Sequence, residues 1–178
     1  MAKTVAFINM KGGVGKSTLA VNLAWELAAD EAWYKNVLLV DLDPQFNASQ
    51  YMLGVNAYRN RVVDAGAPTV WNIFEQHTMT PAGQPPPVDP STAILNRAVY
   101  RPRSNRLDLV ASRLELAWSL RQPAQKEGLL ARFLRPLANR YELVVIDCAP
   151  TESVLTTAAY LAADYVLIPV KPEPPRVS

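Results

Sequence analysis

Hydrophobic positions along the chain fall into two alternating kinds of run. Thr4 to Asn9 (TVAFIN) is short, apolar and rich in β-branched residues, and glycines follow it at Gly12, Gly13 and Gly15: a strand running into a tight loop. From Ser17 onward, Leu19, Ala20, Leu23, Ala24, Leu27 and Ala28 recur at three and four residues, which predicts an amphipathic helix to about Asp30. Val37 to Asp41 (VLLVD) is apolar until its last residue. Two near-continuous apolar strands with a helix between them indicate a βαβ unit in a parallel sheet covered on both faces.

The same kind of strand recurs at Leu143 to Asp147 (LVVID) and Tyr165 to Pro169 (YVLIP), with Leu107 to Ala111 (LDLVA) as a fifth. Leu129, Leu130, Phe133, Leu134 and Leu137 form a helical stripe before the strand at 143, and Pro136 within it is expected to kink or loosen the last turns. Val154 to Ala163 supplies another helix. The stretch 76–90 (QHTMTPAGQPPPVDP) has no periodicity and reads as a Pro-rich surface loop or insertion. With 178 residues and no repeat or linker, the chain is expected to form one domain over 1–178, an α/β fold with a mostly parallel sheet and helices on both faces.

Composition narrows the setting. A chain 49% hydrophobic and 19% charged is that of an ordinary soluble protein. The single cysteine, Cys148, excludes an internal disulfide and a Cys-rich zinc module, which suits a reducing cytoplasm. No run approaches the roughly 18 uninterrupted apolar residues of a membrane span, and the N-terminal apolar run is too short for a secretion signal. A net charge of +2 carries no argument for a nucleic-acid partner.

The strongest chemical signal is Lys11 to Thr18 (KGGVGKST), placed between a strand and a helix. Gly12, Gly13 and Gly15 allow backbone N–H groups to converge on phosphate oxygens, and the helix N-terminus adds its positive dipole end. Lys16 then reaches the β/γ-phosphates, and the Ser17 hydroxyl can ligate Mg²⁺. Asp147, at the tip of an apolar strand, is costly there without a partner. As an acid of the Walker B type it would hold Mg²⁺, the bland alternative being a cap on the next turn. Asp41 and Asp43 lie two apart at a strand exit, so both can face the phosphate site once the chain turns at Pro44, and one of them would support the Mg²⁺ shell.

These residues resemble the deviant Walker A ATPases of the ParA/MinD family. KGGVGKST carries the family's signature first lysine, Asp41-Leu-Asp43-Pro44-Gln45 matches its switch I, Val144-Val-Ile-Asp147-Cys-Ala-Pro150 matches its Walker B and switch II, and Pro169-Val-Lys-Pro-Glu173 is similar to the segment after its next strand. Phe46 and Ala149 depart from the common glycine and proline. The resemblance implies a P-loop NTPase that binds ATP and Mg²⁺, with Lys11, Gly12, Gly13, Val14, Gly15, Lys16, Ser17 and Thr18 around the nucleotide. It implies Lys11, Lys16 and Asp43 as catalytic residues, Asp43 orienting the attacking water and Lys11 reaching the partner's phosphates across a nucleotide-sandwich dimer. Ser17, Asp41 and Asp147 are the implied metal side. It also implies an ATP-controlled homodimer, a ParB-like activator protein, non-specific DNA as a partner, and a cytoplasmic, nucleoid-associated protein that segregates DNA or another cargo. Within the sheet, the Walker B strand is expected between the first strand and the strand at 37, with the strand at 165 on the first strand's other side. Family members run on for roughly a further third of a chain, so the chain is expected to be a short or truncated member, or a fragment.

The related electron donors and iron–sulfur carriers, of the nitrogenase iron protein and Mrp types, share this loop but need paired cysteines, and Cys148 stands alone. A related tyrosine kinase would carry a C-terminal tyrosine cluster, and a MinD-like regulator a basic amphipathic C-terminal helix, neither of which the sequence contains. His77, the only histidine, reads as a surface residue, and Cys148 as a small buried apolar one. The basic stretch Arg97, Arg101, Arg103, Arg106 and Arg113 fits a solvated face as well as a phosphate-backbone contact.

Overall fold

The structure is a computed structural model that describes residues 2–29, 36–76, 87–96, 106–121 and 125–172. In chain order its elements are β1 (Lys3–Phe7), α1 (Lys16–Ala29), β2 (Val37–Leu42), α2 (Asn47–Leu53), α3 (Val55–Tyr58), a π-helical turn (Arg59–Asp64), α4 (Val70–Glu75) and α5 (Pro90–Ala93). There follow β3 (Leu107–Val110), a 3-10 helix (Leu114–Arg121), α6 (Leu129–Leu134), a 3-10 turn (Arg135–Leu137), β4 (Leu143–Cys148), α7 (Val154–Ala162) and β5 (Tyr165–Leu167). The five strands form one sheet in the order β3-β2-β4-β1-β5, and every pairing between them is parallel. The Walker B strand therefore lies between the first and second strands, and β5 flanks β1, the arrangement that the resemblance implied.

Alternation along the strands divides the core into two layers. Ala6, Leu38, Val40, Val144 and Ile146 face a layer built with α4, α6 and α7, while Phe7, Val37, Leu39 and Val145 face one built with α1 and α2. A strand covered on both faces has no polar side, which is why VLLVD and LVVID read as unbroken apolar runs. In α1 the residues that meet the sheet are Ala20, Ala24 and Ala28, spaced four apart and buried, so the helix axis comes close to the strands.

The structure departs from the sequence reading in several places, β1 for one ending at Phe7 rather than Asn9. The stripe before β4 is helical only to Leu134 and continues as the 3-10 turn containing Pro136, the loosening that a ring without an N–H imposes. β5 stops at Leu167 rather than Pro169, because Ile168 and Pro169 have no ladder partner. The stretch from Asn47 to Glu75, in which no clear period can be read, is a chain of short helices. Most of the Pro-rich stretch, with His77, and Arg97, Arg101, Arg103 and Glu173 lie outside the described residues. Among the described residues no helix is long and apolar enough to cross a membrane.

Candidate functional site

The parallel register brings the chemistry to one end of the sheet. Asp41 on β2 pairs with Asp147 on β4, which pairs in turn with Phe7 on β1, two residues before Asn9 and the glycine loop. Successive strand residues point to opposite faces, so Asp41 shares the face of Val37 and Leu39, and Asp147 that of Val145. Both acids therefore stand on the α1 side of the sheet.

The glycine loop bends where only glycine is comfortable. Gly13 has φ 73° and Gly15 φ 86°, and a side chain at either would be strained. Gly12 has ordinary φ, and a Cβ there would meet nothing within 4 Å, so its bareness leaves space open. The loop closes on itself through two contacts: Asn9 Oδ1 accepts from Lys11 N–H at 2.8 Å, and Lys16 Nζ donates to the Lys11 carbonyl at 3.1 Å. Asn9 Nδ2 also donates to the Pro169 carbonyl at 2.7 Å, which ties the loop to the exit of β5. Lys16 is 6% exposed and opens α1, with Ser17 and Thr18 in the first turn. A cavity of about 270 Å³ lies over this loop, lined among others by Gly12, Gly13, Lys16, Ser17, Thr18 and Asp43. Val14 is half-buried and Lys11 exposed.

The three acids are placed differently. Asp147 is fully buried, and neither carboxylate oxygen has a hydrogen-bond partner. Burial first, then the Asp41 charge, holds its carboxyl well above the usual range, against the pull of Ser17 and Lys16. Asp41 is also fully buried, but its oxygens are engaged: Oδ2 accepts from Ser49 N–H at 2.8 Å and Ser49 Oγ at 2.7 Å, and Oδ1 from Asp43 N–H at 3.1 Å. Burial raises its carboxyl as well, and those hydrogen bonds oppose the rise. Asp43 accepts from Gln45 N–H through Oδ1 at 2.9 Å and borders the cavity.

Gln45 and Pro150 of the quoted motifs line the cavity too, and so do Asn47 and Tyr51, which sequence reasoning passed over. Asn47 and Tyr51 are four apart on α2, a spacing that becomes informative only once α2 is known to be a helix. It also passed over Ser49 and Ser112, joined by a Ser112 N–H to Ser49 Oγ bond of 2.9 Å across 63 positions. Phe46, in the left-handed region at φ 44°, ψ 31°, is strained by about 1–2 kcal/mol relative to glycine. Cys148 is buried, and burial together with the Asp147 charge pushes its thiol far up, as befits an inert packing residue. Arg113, the described end of the basic stretch, makes bonds of 2.7 and 2.6 Å to Glu115.

The orphaned Asp147 oxygens fit a cation. Among the described residues no group of three or more His, Cys, Asp or Glu side chains could hold a metal alone. A hard ion such as Mg²⁺ suits this shortage, because it takes one or two protein oxygens and completes its shell with water and substrate phosphates.

The family described as an AAA domain matches residues 2–176. The chromosome partitioning protein ParA of Myxococcus xanthus is 33% identical over 97% of this chain and 53% of its own length. A plasmid partition protein of Borrelia burgdorferi, solved bound to AMPPNP, superposes with a TM-score of 0.73 and 29% identity over 94% of this chain and 62% of its own. Cobyrinic acid a,c-diamide synthase of Mycobacterium smegmatis, solved with an ATP analogue and magnesium, gives 0.69 and 27% over 96% and 60%. The chain spans about half the length of the curated relatives it matches, from 48% to 60%. With a five-stranded parallel sheet, a glycine loop opening α1 and a match along nearly its whole length, the chain belongs to the AAA domain family, among the P-loop ATPases of the ParA/MinD kind.

Proposed function

We propose that the protein is a Mg²⁺-dependent ATPase that dimerises on ATP and uses that cycle to segregate or position DNA or another cargo. The observation that carries the reading is the cavity over the glycine loop, lined by the buried Lys16, together with the buried carboxylate of Asp147, which feels both Ser17 and Lys16 of that lining. Gly12, Gly13, Val14 and Gly15 would present backbone N–H groups to phosphate oxygens, and Lys16 would exchange the Lys11 carbonyl for the β/γ-phosphates. Ser17 and Asp147 would hold Mg²⁺, which would offset the charge of the phosphates. Asp41, with both oxygens occupied, would serve the metal side indirectly by fixing Asp43 and α2. Asp43 would orient the attacking water through its remaining oxygen, and Thr18 would border the α-phosphate side of the loop. The exposed Lys11 would act across a dimer on the partner's phosphates, in the manner of an arginine finger supplied in trans. A ParB-like activator, non-specific DNA and a cytoplasmic, nucleoid-associated location belong to the same proposal, supported by relatives named for partition.

The test separates binding from turnover. Lys16→Ala is expected to abolish ATP binding measured by calorimetry. Asp43→Ala is expected to keep binding and lose phosphate release, since a group that orients water acts in the transition state rather than on the bound substrate. Equal affinity in wild type and Lys16→Ala would end the phosphate-loop reading.

A further inference from the structure

The turn that carries Asp43 is closed by a residue whose backbone does not suit it. Phe46 N–H donates to the Asp43 carbonyl at 2.9 Å, and the Phe46 carbonyl accepts from Gln50 N–H at 3.1 Å. One residue thus ends the turn and opens α2, and it does so in the left-handed region. Among the described residues, Gln125 is the one other non-glycine with positive φ. A phenylalanine leaves that region unless something holds it.

What holds it is Tyr58. The two rings lie flat on each other, with centroids 5.2 Å apart and an angle of 7° between planes. Tyr58 is buried, and its hydroxyl donates to the Ser112 carbonyl at 2.9 Å. Ser112 N–H donates to Ser49 Oγ at 2.9 Å, Ser49 Oγ to Asp41 Oδ2 at 2.7 Å, and Asp43 N–H to Asp41 Oδ1 at 3.1 Å. The stacked pair and the Asp41 contacts therefore grip the same turn from its two ends.

We propose that Phe46 and Tyr58 are positioning residues, an aromatic clamp that fixes the Asp43 turn where a glycine would leave it free. The proposal rests on the reading of Asp43 as the group that orients water. Lys16 and Ser17 belong to α1 and its loop, a separate element, so the clamp acts on turnover and leaves ground-state phosphate binding to others. Phe46→Ala keeps a side chain that disfavours the left-handed region and removes the ring that enforces it, and the turn then samples other conformations.

The experiment measures kcat, ATP affinity and amide hydrogen exchange of the nucleotide-free protein in wild type, Phe46→Ala, Phe46→Tyr and Tyr58→Phe. In Phe46→Ala, kcat should fall by about 10-fold or more while affinity stays within about 3-fold, the signature of misplaced chemistry rather than lost binding. Exchange at the Gln45 and Phe46 amides, both bonded to Asp43, should quicken by at least about 10-fold while β2 and β4 hold their wild-type rates. Phe46→Tyr, which keeps the stack, should behave as wild type, whereas Tyr58→Phe keeps the stack but loses the hydroxyl bond to the Ser112 carbonyl and should quicken exchange at those amides less than Phe46→Ala does. Unchanged exchange in Phe46→Ala would overturn the clamp, as would exchange quickened equally across β2, β4 and α1. Wild type that neither binds nor hydrolyses ATP would instead overturn the ATPase reading, and the exchange rates would still decide the clamp.

Discussion

Asp41 and Asp147 face each other across one rung of the sheet, buried, and differ in how each is satisfied. Asp41 has three donors, whereas Asp147 has none. Without a cation the pair is a liability, because burial first, then the Asp41 charge on Asp147 and the Asp43 charge on Asp41, make the folded chain hold their protons more tightly than the unfolded chain does. Above the ordinary aspartate range the folded state then binds more protons. The pair's contribution to stability therefore falls as pH rises through that interval, and levels off above the raised values. Asp147→Asn should remove much of this dependence and leave the nucleotide-free protein more stable near neutral pH by about 1–3 kcal/mol, while weakening Mg·ATP binding. Urea unfolding at several pH values checks the first half and calorimetry the second. Parallel stability–pH curves for the two proteins would show that Asp147 is already compensated in the folded chain.

At the scale of elements, the alanine face of α1 sets where the phosphate loop stands. Ala20 and Ala24 are fully buried and Ala28 nearly so, and this small-residue face lets the helix lie close over β2 and β4 with Lys16 at its start. Ala24→Leu inserts bulk into that contact, at an expected cost of about 1–3 kcal/mol, and should weaken ATP binding by lifting the first turn away from Asp147. Thermal unfolding and calorimetry measure the two effects, and a stable variant with unchanged affinity would show that the helix tolerates displacement. The same packing explains which elements were legible in the sequence. Strands buried on both faces and a long helix with one small-residue stripe leave strong periodic signals, and β1, α1, β2 and β4 were read within a residue or two. The segment from Asn47 to Glu75 left none: each helix there is at most seven residues long, and their buried residues are divided between the two core layers. The glycine loop and the three acids were legible as motifs. The Ser49–Ser112 link and the Phe46–Tyr58 stack were not, because they join residues that only the fold brings together.

For the whole molecule, the two edges of the sheet are finished differently. On β3, Leu95 forms an antiparallel bridge to Leu109, with N–H to carbonyl bonds of 2.8 and 3.1 Å that occupy the outer edge there. On β5 every residue is exposed, and just beyond the strand Ile168 is 61% and Val170 77% accessible. An apolar strand with an open edge favours pairing with another chain. An association through the edge, indifferent to nucleotide, should therefore accompany the ATP-dependent dimer of the proposed function. Light scattering on wild type, Ile168→Lys and Lys11→Ala, with and without ATP, separates them. Ile168→Lys should suppress the nucleotide-independent species and leave ATP binding unchanged, since a charge on an open edge discourages strand pairing. Lys11→Ala should keep the edge species and lose the ATP-dependent dimer or its turnover, because Lys11 would work on the partner's phosphates. If Ile168→Lys associates as wild type does without ATP, the open edge is not the cause. If Lys11→Ala forms the ATP dimer and turns over normally, the lysine acts within its own loop and the trans role fails.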